Sequence, residues 1–119
     1  MQGAKQWRIT IETSLNAPLE YLQSVEPYVN EFIVDIKDMN GGIYESYTGK
    51  DNIMVIANLK WLAKKGRACD IVCRIPLIPD FNTEKDRDAS VYAIEALGIT
   101  RFDKFEYIRN LKDEVWMVN

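Results

Sequence analysis

The chain contains no histidine among its 119 residues. That absence removes serine–histidine and cysteine–histidine nucleophile pairs, histidine-ligated metal sites and the usual general base near neutral pH. Any chemistry must run on carboxylates, lysine, arginine or a group brought in from outside. Cysteine is nearly as scarce, with only Cys69 and Cys73 present. Two thiols are too few for a metal site, so no metal is assigned here. A disulfide along one strand is also poor, because the alpha carbons would lie more than about 7 Å apart. In "ACDIVCRIPLIP" Cys69, Ile71, Cys73 and Ile75 alternate onto one strand face, which makes both cysteines reduced, packed side chains. No apolar run approaches the ~18 residues of a membrane helix. The opening "MQGAKQWRIT" lacks the basic-then-apolar order of a signal peptide, and a cytoplasmic protein without a membrane partner is expected. The net charge of −3, without a basic stripe, argues against nucleic acid as a partner.

What is present is ordinary globular composition, 47% hydrophobic and 28% charged, so residues 1–119 are read as one domain. "QWRITIET" alternates and predicts a first strand over Gln6–Thr13. Ser14 or Asn16 then caps a helix with Pro18 in its first turn, Leu19, Leu22 and Val25 as its stripe, and Pro27 interrupting it late. "NEFIVDIK" is a second strand, whose unbroken Phe32–Val34 run implies cover on both faces. A turn and short helix ending at Gly49 follow. Asp51 or Asn52 caps the next helix, with Ile53, Ile56, Leu59 and Leu62 at helical spacing, Lys64 and Lys65 in its last turn and Gly66 as its stop. "RACDIVCRIPLIP" predicts the third strand, closed by Pro76 and Pro79. A capping box at Thr83 and Asp86 starts a helix that stops at Gly98, "ITRFDKFEYI" is a fourth strand, and "VWMV" near the end is a further strand or a docking segment.

Strands alternating with helices imply an α/β fold with about four parallel strands, flanking helices and right-handed crossovers. Ligands of such sheets lie at the carboxyl ends of the strands. Glu12–Thr13, Asp35–Lys37 and Arg74 all fall at or near those ends. Residues two apart on a strand point the same way, so Asp35 and Lys37 face one site. A solvated cluster of salt bridges over the rim is the plainer alternative.

These residues belong to a longer pattern. "VDIKDMN", then "YTGKDN", then "ANLKWLAKKGRACDIVCRIPLIPDFN" resembles the radical S-adenosylmethionine activating enzymes of glycyl-radical enzymes, the pyruvate formate-lyase activating enzyme family. The motifs stand in family order and spacing from about Ile9 to Phe105, with "IET" matching an acidic-Thr strand end. The resemblance implies a partial (β/α) barrel, of which this chain is roughly the latter part. It implies that Glu12 and Lys37 hold the amino and carboxylate groups of S-adenosylmethionine, that Asp35 with Thr13 lies near a monovalent cation, and that Arg74 lines the lumen. It assigns no catalytic residue to this chain.

Departures from the family pattern limit that reading. The family's Cys-x3-Cys-x2-Cys loop for the [4Fe–4S] cluster would precede Met1, its Gly-Gly-Glu strand is missing too, and Cys69 and Cys73 are expected not to replace the loop. Tyr44 stands where the family has histidine, "YIRNL" where it has Pro-Tyr-His, and Asp80 where it has glycine. A truncated or split activating enzyme is therefore expected, inactive in radical generation alone, with a glycyl-radical enzyme or a missing amino-terminal half as partner. A non-catalytic interaction or scaffold domain is the second reading, and an aldolase with Lys37 as Schiff-base nucleophile is the third. Cutting a barrel before "WRITIET" exposes a strand edge, so a homo-oligomer is expected, with Trp7, Tyr21, Tyr28 and the "VWMVN" tail available to cover that edge.

Overall fold

Chain order and spatial order coincide. The computed structural model describes residues 8–109 and 115–118. Strand β1 (Thr10–Thr13) leads to helix α1 (Leu19–Val25), and strand β2 (Glu31–Asp35) leads to helices α2 (Gly41–Thr48) and α3 (Ile53–Lys64). Strand β3 (Ile71–Leu77) leads to helix α4 (Glu84–Glu95), then strands β4 (Arg101–Arg109) and β5 (Val115–Val118). The sheet runs β1-β2-β3-β4-β5, parallel through β4, with β5 antiparallel to β4. The expected α/β architecture with four parallel strands and flanking helices is thus the observed one.

Register decides which side chains share a face. Ile11 pairs with Phe32 and Phe32 with Ile71, while Thr13, Val34, Cys73 and Phe102 form the next row. These rows face the helices. Phe32, Val34, Ile71, Cys73 and Ile75 are buried there in one core with Leu22, Val55, Leu59, Leu62 and Ile94. The other rows, Glu12–Ile33–Val72–Arg101 and Asp35–Arg74–Asp103, face away from the helices and are half-buried or exposed. The sheet is therefore covered on one side only. This corrects the reading of β2: Phe32 and Val34 are buried, but Ile33 lies on the open face.

Local chemistry explains the element ends. Thr83 and Asp86 form the expected capping box, and the Asn40 side chain caps α2 by accepting from Ile43 N–H. Gly49 ends α2 at φ 78°, a backbone region that a side chain makes costly. Helix α1 differs from expectation: Pro18 is the N-cap residue and no side chain caps it. Helix α3 buries Val55, Asn58, Leu59 and Leu62, while Ile53 is 70% exposed, so the expected stripe is rotated at its start. Pro76 lies inside β3 rather than closing it. Arg74 O accepts from Ile36 N–H, so the backbone at Pro76, two residues on, turns toward β2 just past its end, where no ladder donor is needed. Asn82 Nδ2 supplies a hydrogen bond to the Pro76 carbonyl instead.

Two further corrections follow. The 3-10 turn Ala68–Asp70 holds Cys69, which is exposed, so only Cys73 is packed. The "VWMV" segment pairs with β4, at the opposite edge from β1, and so covers none of the β1 edge. Gln6 and Trp7 lie outside the described residues, and the Tyr21 and Tyr28 side chains are 65% and 72% exposed. At the amino end of the sheet Arg67 ties two turns together, donating to the side chains of Asp70 and Glu26 and to the Glu26 and Val29 carbonyls. Burial alone would lower its pKa, but the bonds to Asp70 and Glu26 outweigh burial and raise it.

Candidate binding site at the carboxyl rim

The open face carries opposite charges side by side at its carboxyl end. Lys37 Nζ lies 2.9 Å from Asp35 Oδ2. Arg74, beside Asp35 in the ladder, reaches Asp103 at 3.3 Å and Glu12 at 3.9 Å. Four of the five residues named from sequence thus lie on one face and one rim. Thr13 does not: it faces the helices, where its Oγ1 accepts from Leu15 N–H at 3.0 Å. Asp103 was missed, because "FDKF" within a strand gives no sign of which neighbour its carboxylate meets.

Glu12, Asp35 and Asp103 bring three negative charges, and Lys37 and Arg74 bring two positive ones, so the cluster carries a net −1. The Oδ1 atom of Asp35 is buried and has no hydrogen-bond partner among the described residues. An oxygen so placed calls for a donor or a cation. Lys37 Nζ also sits 6.0 Å from the centre of the Tyr47 ring, which meets Phe81 edge-to-face at 4.9 Å.

A polar cleft of about 240 Å³ opens beside the pair, between Ser14 and Asn16 on one wall and Tyr44, Thr48 and Lys50 on the other. Asn16 Nδ2 donates to Tyr44 Oη at 3.1 Å, joining the two walls. The loop after β1 is held in an unusual shape. Leu15 has φ 59°, and buried Asn58 donates to the Leu15 and Ala17 carbonyls at 2.8 and 2.9 Å. Two bonds from one buried amide offset the cost of that backbone conformation. Asp80 also has a positive φ, 71°, which explains why glycine suits this position and why aspartate, tolerant of that region, can replace it.

Buried Asp38 joins its own turn to helix α4 and to the loop that precedes α4. Its Oδ1 accepts from Asn40 N–H and Ser90 Oγ–H, and its Oδ2 from Asn82 Nδ2. This network, also missed from sequence, fixes the turn that follows Lys37. A second cavity of about 270 Å³ is apolar, lies on the helix side by β1 and α1, and has no charged side chain in its wall. Among the described residues no helix is long and apolar enough to cross a membrane, and no three acidic or thiol side chains group as metal ligands would.

A singly covered parallel sheet, with its charged rim at the carboxyl ends, defines part of a (β/α) barrel. No family model matches the chain. It is 33% identical over 91 residues to the isethionate sulfite-lyase activating enzyme of Desulfovibrio desulfuricans, a match spanning 76% of this chain and 28% of that protein. It is 38% identical over 74 residues to the (2S)-3-sulfopropanediol dehydratase activating enzyme of Klebsiella oxytoca, spanning 62% and 23%. A crystal structure of a domain of pyruvate-formate lyase-activating enzyme from Bacteroides vulgatus superposes with a TM-score of 0.53 at 13% identity, over 82% of this chain and 80% of that one, and supports the fold. The chain is a distant homologue of the glycyl-radical enzyme activating enzymes. It spans about a quarter of the length of the curated relatives it matches.

Proposed function

We propose that this chain is the carboxyl-proximal part of an activating-enzyme barrel and binds S-adenosylmethionine on its open face. The observation that carries this reading is the rim cluster of Glu12, Asp35, Lys37, Arg74 and Asp103. S-adenosylmethionine carries an ammonium, a sulfonium and a carboxylate, a net +1 that complements the net −1 of the cluster. Lys37 meets the carboxylate, Glu12 meets the ammonium, and Asp35 Oδ1 gains the partner it lacks. Such charge-assisted bonds are strongest where a cleft shelters them from water.

The [4Fe–4S] cluster that the resemblance associates with this cofactor does not fit the cysteines present. Cys69 is exposed on a turn and Cys73 is buried under the helices, so the two thiols cannot meet one cluster. Radical generation is therefore assigned to a complete assembly, with the cysteine loop on another segment and a glycyl-radical enzyme as its target.

Calorimetric titration with S-adenosylmethionine tests the reading. Weak saturable binding is expected, falling at least about tenfold in Lys37→Met and Glu12→Gln. A folded chain that binds nothing at millimolar cofactor, or binds it equally well in both variants, overturns the proposal and leaves a non-catalytic interaction domain. Reconstitution with iron and sulfide is expected to give no stoichiometric cluster signal by EPR.

A further inference from the structure

We infer that the polar cleft beside Asp35 and Lys37 is an oxyanion site, in which the Tyr44 and Ser14 hydroxyls and the Lys37 and Lys50 ammonium groups receive a carboxylate. That this carboxylate is the cofactor's own rests on the reading proposed above.

The donors come first. Asn16 Nδ2 donates to Tyr44 Oη at 3.1 Å and to the Asp51 carbonyl at 3.2 Å. A carbonyl only accepts, so the amide is held with its nitrogen toward both oxygens, and Tyr44 Oη is the acceptor of its pair. The hydroxyl proton of Tyr44 is thereby left without an acceptor among the described residues. Tyr44 is 3% exposed, yet it lines the cleft. A buried hydroxyl proton is costly to leave unpaired, so its acceptor belongs in that cleft. Ser14 Oγ accepts from Asn16 N–H at 3.2 Å and keeps its own proton in the same way, at an exposed position of the wall. Thr48 differs. Its hydroxyl donates to the Tyr44 carbonyl at 2.8 Å and accepts from Lys50 N–H at 3.1 Å, so it braces the wall instead of facing a ligand.

Charge comes second. Lys37 and Lys50 bring two positive charges to the cleft and Asp35 one negative, a net +1. Asp35 would repel an oxyanion, but its Oδ2 already meets Lys37 Nζ at 2.9 Å. Around Arg74, in contrast, Glu12 and Asp103 leave a net −1. A ligand carrying both signs is thereby oriented, with its anionic end in the cleft and its cationic end toward Glu12 and Asp103. The net +1 matches the single charge of a carboxylate, which a phosphate dianion exceeds. The volume of about 240 Å³ falls below the roughly 300 Å³ at which pockets begin to enclose a drug-sized molecule, so the cleft takes one end of a ligand and not the whole.

Two titrations of the full chain test the site. In the first, calorimetry compares S-adenosylmethionine with its decarboxylated analogue. Tyr44→Phe is expected to weaken the cofactor at least about tenfold and to leave the analogue unchanged. In the second, acetate is added at constant ionic strength and followed by NMR. Saturable shifts are expected at the Asn16 side-chain amide and at Lys50 N–H, with affinity at least about tenfold lower in Tyr44→Phe. The melting temperature of each variant checks that it folds. If Tyr44→Phe does not fold, Ser14→Ala combined with Lys50→Gln must give the same selective loss, by about threefold. A loss by one factor for cofactor and analogue alike, or no change in either titration, overturns the oxyanion site. Cofactor binding that still depends on Lys37 would survive that result. Acetate binding that needs Tyr44, without any cofactor binding, would keep the site and remove the cofactor reading.

Discussion

The two faces of this sheet are made from the same strands, with residues alternating between them, yet they do opposite work. One face holds Phe32, Val34, Ile71, Cys73 and Ile75, all buried under helices. The other holds Glu12, Asp35, Arg74 and Asp103, which meet one another across strands and remain partly wet. Burial of apolar area stabilises the first face, at roughly 25 cal/mol per Å². Ion pairs this exposed contribute little to folding, a median of about 0–1 kcal/mol. Stability thus explains the charges on the second face poorly, which supports the binding role proposed for them.

Substitutions can break that contrast, beginning with the largest effect. Phe32→Ala removes a fully buried ring, over which the Arg67 guanidinium stacks at 5.2 Å. It should cost about 3–5 kcal/mol in chemical denaturation. A loss below about 1 kcal/mol would show that the helix side is not the principal core.

Cys73 tests the same face by pH. Burial pushes its thiol up from 9.0 to about 12. The folded state therefore keeps the thiol neutral where the unfolded chain ionises it. This contribution to stability is complete below pH 9 and is lost as pH rises toward about 12. Cys73→Ala should lack this alkaline term, at the price of a small cavity at all pH values. In the native chain iodoacetamide should modify exposed Cys69 and spare Cys73, as peptide mass analysis would show.

The smallest effect belongs to the open face. Glu12→Gln and Asp103→Asn should each shift stability by no more than about 0.5–1 kcal/mol. Losses of several kcal/mol would make the rim a structural device, and the contrast between the faces would fail.

The order of strands and helices was legible because local signals agree: the Thr83–Asp86 box, Gly49, and the "RIPLIP" strand mark their elements in chemistry that tertiary contacts do not override. Convergence of Glu12, Asp35, Lys37 and Arg74 was legible too, since parallel strands align their ends. What was not legible depended on partners distant in the chain. Ile33 reads as core by composition, but only the absence of helices on its side determines its exposure. Cys69 reads as strand until the turn at Ala68–Asp70 removes it from the pleat. Asn58 and Asp38 look like surface polar residues, yet each is buried because it meets loops tens of residues away.

Each described strand lies next to its neighbours in sequence, so no strand is threaded between two that are remote along the chain. The molecule is to that extent a linear stack, held largely by nearest-neighbour interfaces. A stack of this kind frays from its outermost layer, and loss of β1 with α1 would leave β2 through β5 joined as before. It can equally gain a layer at that end without redrawing any existing junction.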